Sequence, residues 1–188
     1  MVISDPRLVQ LSQVPNFAAR VRLAMSMFPR IRMGSGRIAF DYSPDLVLKL
    51  ARNEKGREQN RTEADGFLQD NYKSLVANVV DSDPDDLWLV VEKAARANAA
   101  DFQRTFGTSL NNLCNYIKKR ISGSSFAPVE NEEALSNNAA IDDLLDMMSN
   151  FQMPAGDICR ISSWGKVKDR LVLVDYGLTS SIYDEYYK

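Results

Sequence analysis

Lys49 stands inside the apolar run Leu46-Val47-Leu48-Lys49-Leu50-Ala51. A buried ammonium needs a counter-charge, because an unpaired charge in a core costs several kcal/mol or gives up its proton. The expected partner is Glu63 on the following helix, with Glu58 as the fallback. At a sheet edge the same lysine would simply reach water. A second chemistry-bearing segment is Leu171-Val172-Leu173-Val174-Asp175-Tyr176-Gly177. A carboxylate directly after an apolar strand, followed by an aromatic residue and a glycine, can project into a cleft and hold a divalent cation with oxygen ligands. A second aspartate, Asp157, precedes it in Gly156-Asp157-Ile158-Cys159-Arg160-Ile161-Ser162-Ser163-Trp164-Gly165. The turn Gly34-Ser35-Gly36 could let backbone amides approach a phosphate. It is not a dinucleotide turn, which would open a helix and carry a third glycine where Ala39 stands.

Other classes of chemistry are excluded by composition. The chain has no histidine, so a Ser-His-Asp or Cys-His nucleophile, a His-ligated zinc and a His general base are ruled out within it. Its two cysteines, Cys114 and Cys159, are far apart and outside any paired spacing, which reads as plain core or surface thiols. A net charge of −2 gives no global pull toward nucleic acid, although the first 32 residues run basic through Arg7, Arg20, Arg22, Arg30 and Arg32. No apolar run approaches the roughly 20 residues of a membrane span. The start, Met1-Val2-Ile3-Ser4-Asp5-Pro6, lacks the basic and apolar regions of a secretory signal, so a cytoplasmic location is expected.

The elements that must position these residues follow from periodicity. Asn16 can cap a helix running to residue 28, with Phe17, Val21, Met25 and Phe28 inward and the arginines outward. That helix either covers the back of the next sheet or offers a basic arm to RNA or an acidic partner. Strands are expected at 37–42 and 46–51 around Ser43-Pro44-Asp45, then a helix at 57–75, after a charged link ended by Gly56, with Ala64, Phe67 and Leu68 as its apolar stripe. Strands at 75–80 and 87–91 flank Asp81-Ser82-Asp83-Pro84-Asp85-Asp86. That acidic cluster could be a cation site, but Asp-Pro between apolar runs reads as a solvated hairpin turn. The strand ending at Glu92 either forms a hinge between lobes or is an ordinary core strand. Helices follow at 94–106, 109–121 and 131–151, with a loop at Gly123-Ser124-Ser125 and Pro128, then extended runs at 166–167 and 170–174 around a Lys168-Asp169 turn. This is an α+β pattern, strand-rich first and helix-rich later.

Taken in order, these pieces resemble the protein-kinase signature set of glycine-rich loop, strand lysine, helix glutamate, hinge, catalytic loop and metal-binding Asp-aromatic-Gly. The resemblance spans residues 31–187. It implies a minimal bilobal fold, with an antiparallel N-lobe sheet at 30–92, a reduced helical C-lobe at 93–188 and residues 1–29 as a helical extension. It also implies ATP and Mg²⁺ in the interlobe cleft. Gly34, Ser35, Gly36, Lys49, Glu63 and Glu92 would contact the nucleotide, Lys49 orienting the α/β-phosphates and Glu63 holding Lys49. Asp175 would bind Mg²⁺, and Asp157 would accept the acceptor hydroxyl's proton.

The chain departs from that pattern in three places. Ala155-Gly156 replaces the family's His-Arg, Ser162 or Ser163 replaces the metal-binding asparagine, and the chain stops soon after Gly177, without the later helices that bind peptide. It is similar in this to the truncated kinase-like proteins of bacteriophages. Two functions follow: phosphoryl transfer to a host protein, or a pseudokinase that grips a host target without transfer. Tyr183, Tyr186 and Tyr187 would serve the second as an interface, or pack the tail onto the domain.

Overall fold

The computed structural model describes residues 5–123 and 127–187. In chain order it shows α1 (Pro6–Gln13), α2 (Phe17–Met27), β1 (Arg30–Met33), β2 (Arg37–Ser43), β3 (Leu46–Ala51), α3 (Glu54–Glu63), α4 (Gly66–Asn71), β4 (Val79–Ser82), β5 (Trp88–Glu92) and β6 (Ala95–Arg96). Then come α5 (Ala99–Phe106), α6 (Leu110–Ser122), α7 (Glu132–Ser136), α8 (Ala139–Asn150), α9 (Ala155–Ile158), a 3₁₀ turn (Ile161–Ser163), β7 (Trp164–Val167), β8 (Arg170–Leu173) and α10 (Ser180–Tyr186). The architecture is mixed α+β with antiparallel sheets. Two compact units result, residues 1–65 with 78–93, and residues 66–77 with 94–188. Among the described residues no helix is long and apolar enough to cross a membrane.

The first unit is built on a five-stranded sheet in the order β1-β2-β3-β5-β4. Alternation along β2 and β3 sends Ile38, Phe40, Leu48 and Leu50 to one face, where they form a core with Trp88, Val90, Leu8, Leu11, Ala24 and Phe28. Burying each such side chain is worth about 1.5–3 kcal/mol. The helix at 17–27 therefore covers the back of the sheet. Asn16 caps it, its Oδ1 accepting from the Ala19 amide at 2.8 Å. Phe28 is inside as expected, but the stripe within the helix is turned, with Ala24 buried and Met25 44% exposed. Not all of its arginines face water: Arg20 is buried, donating from Nε to the Leu11 carbonyl at 3.0 Å and from Nη2 to that of Val14. It thus satisfies carbonyls that the end of α1 leaves open. Periodicity did not mark α1, which is fastened at both ends. Asp5 caps it and accepts from Tyr42, while Ser12 accepts from Trp88 Nε1 and bonds to Asp83.

The acidic segment at 81–86 is the end of β4 and the hairpin turn that leads to β5. Asp83 is buried and accepts the amides of Asp85 and Leu87 on one oxygen. The helix expected at 57–75 is two helices. The first, α3, begins earlier because Asn53 caps it through the Gly56 amide, so Gly56 lies within the helix instead of ending a link. Phe67, placed on the apolar stripe, is 56% exposed. The strand expected at 75–80 is also divided. Leu75 and Ala77 exchange backbone bonds with Leu173 in the second unit, whereas β4 begins at Val79 and pairs with β5 in the first.

In the second unit, β6, β7 and β8 form a small antiparallel sheet, and residues 75–77 add to its β8 edge in parallel. The segment after Glu92 is extended in β6 before α5 starts, later than the expected helix at residue 94, because Asn98 and Asp101 form a reciprocal capping box. Trp164 is the centre of the core, with Phe102 and Phe106 edge-on at 5.5 and 5.6 Å. The helix expected at 131–151 breaks before Ala139, where Asn138 caps a fresh start, and Leu144, Met147 and Met148 fill the interior. Of the loop expected at Gly123-Ser124-Ser125, the two serines lie outside the described residues, as do Met1-Val2-Ile3-Ser4. The tail packs through buried Ile182 on α10, leaving Tyr183 and Tyr187 stacked at 5.5 Å and about half exposed.

Candidate functional site

In the first unit, register places Lys49 opposite Ala39 on β2 and Leu89 on β5, on the face away from α1 and α2. Lys49 is 8% exposed and Glu63 is fully buried, and their charged groups form an ion pair. Glu58 is not the partner; it pairs with Arg61 on the helix surface. A second cation was not anticipated: Arg37 Nη2 donates to Glu63 Oε1 at 2.8 Å. Burial pushes the Glu63 carboxyl upward, but the charges and hydrogen bonds of Arg37 and Lys49 win and hold it at about 2. This carboxylate therefore stays ionised under any ordinary condition and fixes the lysine.

The helix that presents Glu63 has an unusual inward stripe. Gly56, Gln59, Asn60 and Glu63 are its buried residues, at the spacing of a helical face but with no large apolar side chain among them. Asn60 donates to the Asp86 carbonyl at 2.9 Å, and Arg57 and Arg61 reach the same turn. The only sequence signal for this face is that polar repeat itself. Arg37 carries a weaker one, an arginine starting a strand immediately after Gly36.

The glycine turn is held against the start of α3. Arg52 donates to the Gly34 carbonyl at 2.8 Å, Asn53 to that of Ser35 at 2.9 Å, and Lys55 Nζ reaches Ser35 Oγ at 2.9 Å. A Cβ on Gly56 would overlap the Gly36 carbonyl oxygen, and one on Gly36 would meet Gln59 Oε1 at 2.7 Å. These glycines thus allow a turn and a helix to approach closely. Glu92 ends β5 and binds Asn78 twice, its amide donating to the Asn78 carbonyl and its carboxylate accepting the Asn78 amide, both at 3.0 Å. The first unit ends one residue later, at Lys93.

In the second unit, Asp157 lies on the single turn α9, whose end is held by Trp164 Nε1 donating to the Ile158 carbonyl at 2.7 Å. Asp157 is half-buried and pairs with Arg160 at 2.8 Å. Burial raises its carboxyl, Arg160 opposes that, and the charge of Asp175 raises it further. Asp157 and Asp175 are thus close enough to sense one another. Asp175 follows β8 and is exposed, while Tyr176 behind it is buried, donating to the Ala77 carbonyl at 2.8 Å and accepting from Gln69 at 2.9 Å. The aromatic of this motif is an anchor. Ser162 is exposed on the 3₁₀ turn, whereas Ser163 is buried and its carbonyl accepts from Val174, next to Asp175.

Each unit, taken by itself, carries a donor of a kind that a magnesium nucleotide uses. Lys49 offers a fixed ammonium, and Asp175 offers a hard carboxylate oxygen. Among the described residues no group of three or more His, Cys, Asp or Glu gathers to form a protein-only metal cage. Mg²⁺ held with substrate phosphates uses only one or two carboxylates and water.

No family model matches the sequence, and neither does any curated protein. Among solved structures, the chain is similar to SAICAR synthase from Saccharomyces cerevisiae complexed with SAICAR, at 12% identity and a TM-score of 0.41, over 81% of this chain and 74% of that one. A TM-score of that size leaves the function to be argued from the chain's own residues.

Proposed function

We propose that the protein is a kinase-like phosphotransferase that uses ATP and Mg²⁺. The observation that carries this reading is the buried Lys49–Glu63 pair on an antiparallel sheet, with α3 delivering Glu63 through an otherwise polar stripe. Replacing a buried ion pair by apolar side chains is often neutral or stabilising, so we read the pair as serving a task beyond stability. ATP·Mg²⁺ supplies the transferable γ-phosphoryl group. In this reading Lys49, fixed by Glu63, orients the α/β-phosphates, Asp175 serves the metal and Asp157 the acceptor's proton. A carboxyl raised by burial and by a neighbouring charge is a better proton acceptor than an ordinary surface aspartate. Gly34, Ser35, Glu92 and Ser162 have secondary parts in this reading.

The acceptor is proposed to be a hydroxyl on a host protein and the source a bacteriophage, on the resemblance to truncated phage kinases. A second reading, a pseudokinase that binds its target without transfer, is favoured by the ion pair that engages Asp157 with Arg160. Labelled γ-phosphate from ATP separates the two. The enzyme reading predicts label on proteins of a host lysate and its loss in Asp157→Asn. ATP binding with no labelled product would establish the pseudokinase instead, and neither binding nor label would remove both.

A further inference from the structure

We propose that Arg37 is a positioning residue for the lysine of the charged face: it is the fixed counter-ion of Glu63, which lets Lys49 turn to a phosphate without leaving a buried carboxylate alone. The inference rests on the nucleotide reading of that face. Glu63 is fully buried and takes a cation on each oxygen, Arg37 Nη2 donating to Oε1 at 2.8 Å and Lys49 Nζ pairing with Oε2. One cation is enough to compensate one carboxylate. A lysine that was the sole partner of Glu63 could bind a phosphate only by weakening that pair, and a buried charge deprived of its partner is strongly destabilising. With Arg37 in place, Glu63 stays compensated while the ammonium is shared. Burial alone would raise the Glu63 carboxyl, and the charge of Arg37 opposes that more strongly than the charge of Lys49 does.

The two cations are held differently. Arg37 is gripped along its length. Its Nη1 faces Asn60 Oδ1 at 3.4 Å, and Asn60 is itself buried and fixed by donating from Nδ2 to the Asp86 carbonyl at 2.9 Å. Its stem lies so close to α3 that a Cβ on Gly56 would come within 3.1 Å of Arg37 Cγ. An arginine also keeps its charge at every ordinary pH and presents a rigid planar fork to a carboxylate. Lys49 is instead a compact charge on a flexible stem with rotatable donors. Its side chain keeps 10% of its surface open, which is where a phosphate oxygen can meet it. Because Arg37 directly follows Gly36, the same residue ties the glycine turn to the carboxylate that orients the lysine.

The test is a double-substitution cycle, read by calorimetric titration of the full chain with ATP·Mg²⁺ and, separately, with inorganic tripolyphosphate. Arg37→Gln should weaken the affinity for both ligands by about tenfold or more, because Lys49 is then held by Glu63 alone. Arg37→Lys, which restores the charge, should stay within about threefold of the wild type. In a Glu63→Gln background there is no carboxylate to compensate, so adding Arg37→Gln should change affinity by less than about threefold. A residue that touches the phosphate would lose the same factor in both backgrounds. One that only supports the fold would lower the melting temperature and leave affinity unchanged. Either result overturns the proposal, as does a loss seen with ATP and not with tripolyphosphate. Where Arg37→Gln alone does not fold, the Glu63→Gln pair and Arg37→Lys decide the matter, and a loss of about tenfold in either counts against it. If the wild-type chain binds neither ligand, the nucleotide reading fails and the positioning role with it. If it binds both, and Arg37→Gln binds them as tightly, the positioning role alone fails.

Discussion

The two faces of the five-stranded sheet are packed by different means. On one, Ile38, Phe40, Leu48 and Leu50 meet Leu8, Leu11, Ala24 and Phe28 in an all-apolar core. On the other, Lys49 and Arg37 converge on Glu63, and the helix that brings Glu63 buries Gly56, Gln59 and Asn60 beside it. An apolar face tolerates many side chains of suitable volume. A charged face tolerates one arrangement, because removing any partner strands a buried charge. The first face explains why the unit folds, and the second is where its chemistry is proposed to lie.

Two truncations should break the faces with similar force and different signatures. Phe40→Ala should cost ~3–5 kcal/mol from lost burial and an unfilled cavity, read as a lower urea midpoint at every pH. Glu63→Ala should cost ~3–5 kcal/mol by leaving two buried cations uncompensated, and it should also change the pH dependence. Glu63 is held at about 2 when folded, below its ordinary 4.5, so the unfolded chain binds the proton first. Its contribution is therefore full above pH 4.5 and fades as pH falls toward 2. Acid titration of the urea midpoint should show a steep limb in the wild type and Phe40→Ala, and a shallower one in Glu63→Ala. Equal limbs in all three would show that the pair does not govern acid stability.

A smaller effect sharpens the same contrast. Gly→Ala inside an exposed helix usually stabilises by about 0.8–1 kcal/mol. Gly56→Ala should instead destabilise by ~1–3 kcal/mol, because its Cβ would overlap the Gly36 carbonyl and overpack the turn. A rise in melting temperature would mean that turn and helix are not in contact. The smallest effect belongs to the second unit, where Arg160→Ala removes a pair whose arginine is 68% exposed. Stability should change by no more than about 1 kcal/mol.

The difference between the faces also explains what the sequence made legible. The strand around Lys49 and the choice of Glu63 could be reached from the sequence, because a lysine among Val and Leu demands a carboxylate within helical reach. The helix carrying that carboxylate was misplaced, since periodicity follows apolar residues and the inward stripe of α3 has none. Apolar periodicity points instead to Ala64, Phe67 and Leu68, which lie at and beyond the break between α3 and α4. Arg20 was placed in water for the converse reason: a guanidinium closing the carbonyls of another helix is invisible to pattern. The approach of Arg37 to Glu63 depends on tertiary structure alone. In the second unit the order of Asp157 and Asp175 was readable, while the burial of Tyr176 against Ala77 and Gln69 came only with the fold.

If the charged face holds a nucleotide's phosphates through Lys49, ATP should raise the melting temperature, and more so with Mg²⁺ than without it. At a hundredfold excess over the dissociation constant, binding stabilises the folded state by about 2.7 kcal/mol, a rise of roughly 5–10 °C for a chain of this size. The expected result is that rise with ATP·Mg²⁺ in the wild-type chain, a smaller one without Mg²⁺, and none in Lys49→Met. An unchanged melting temperature in the wild type, or an equal rise in Lys49→Met, would contradict it.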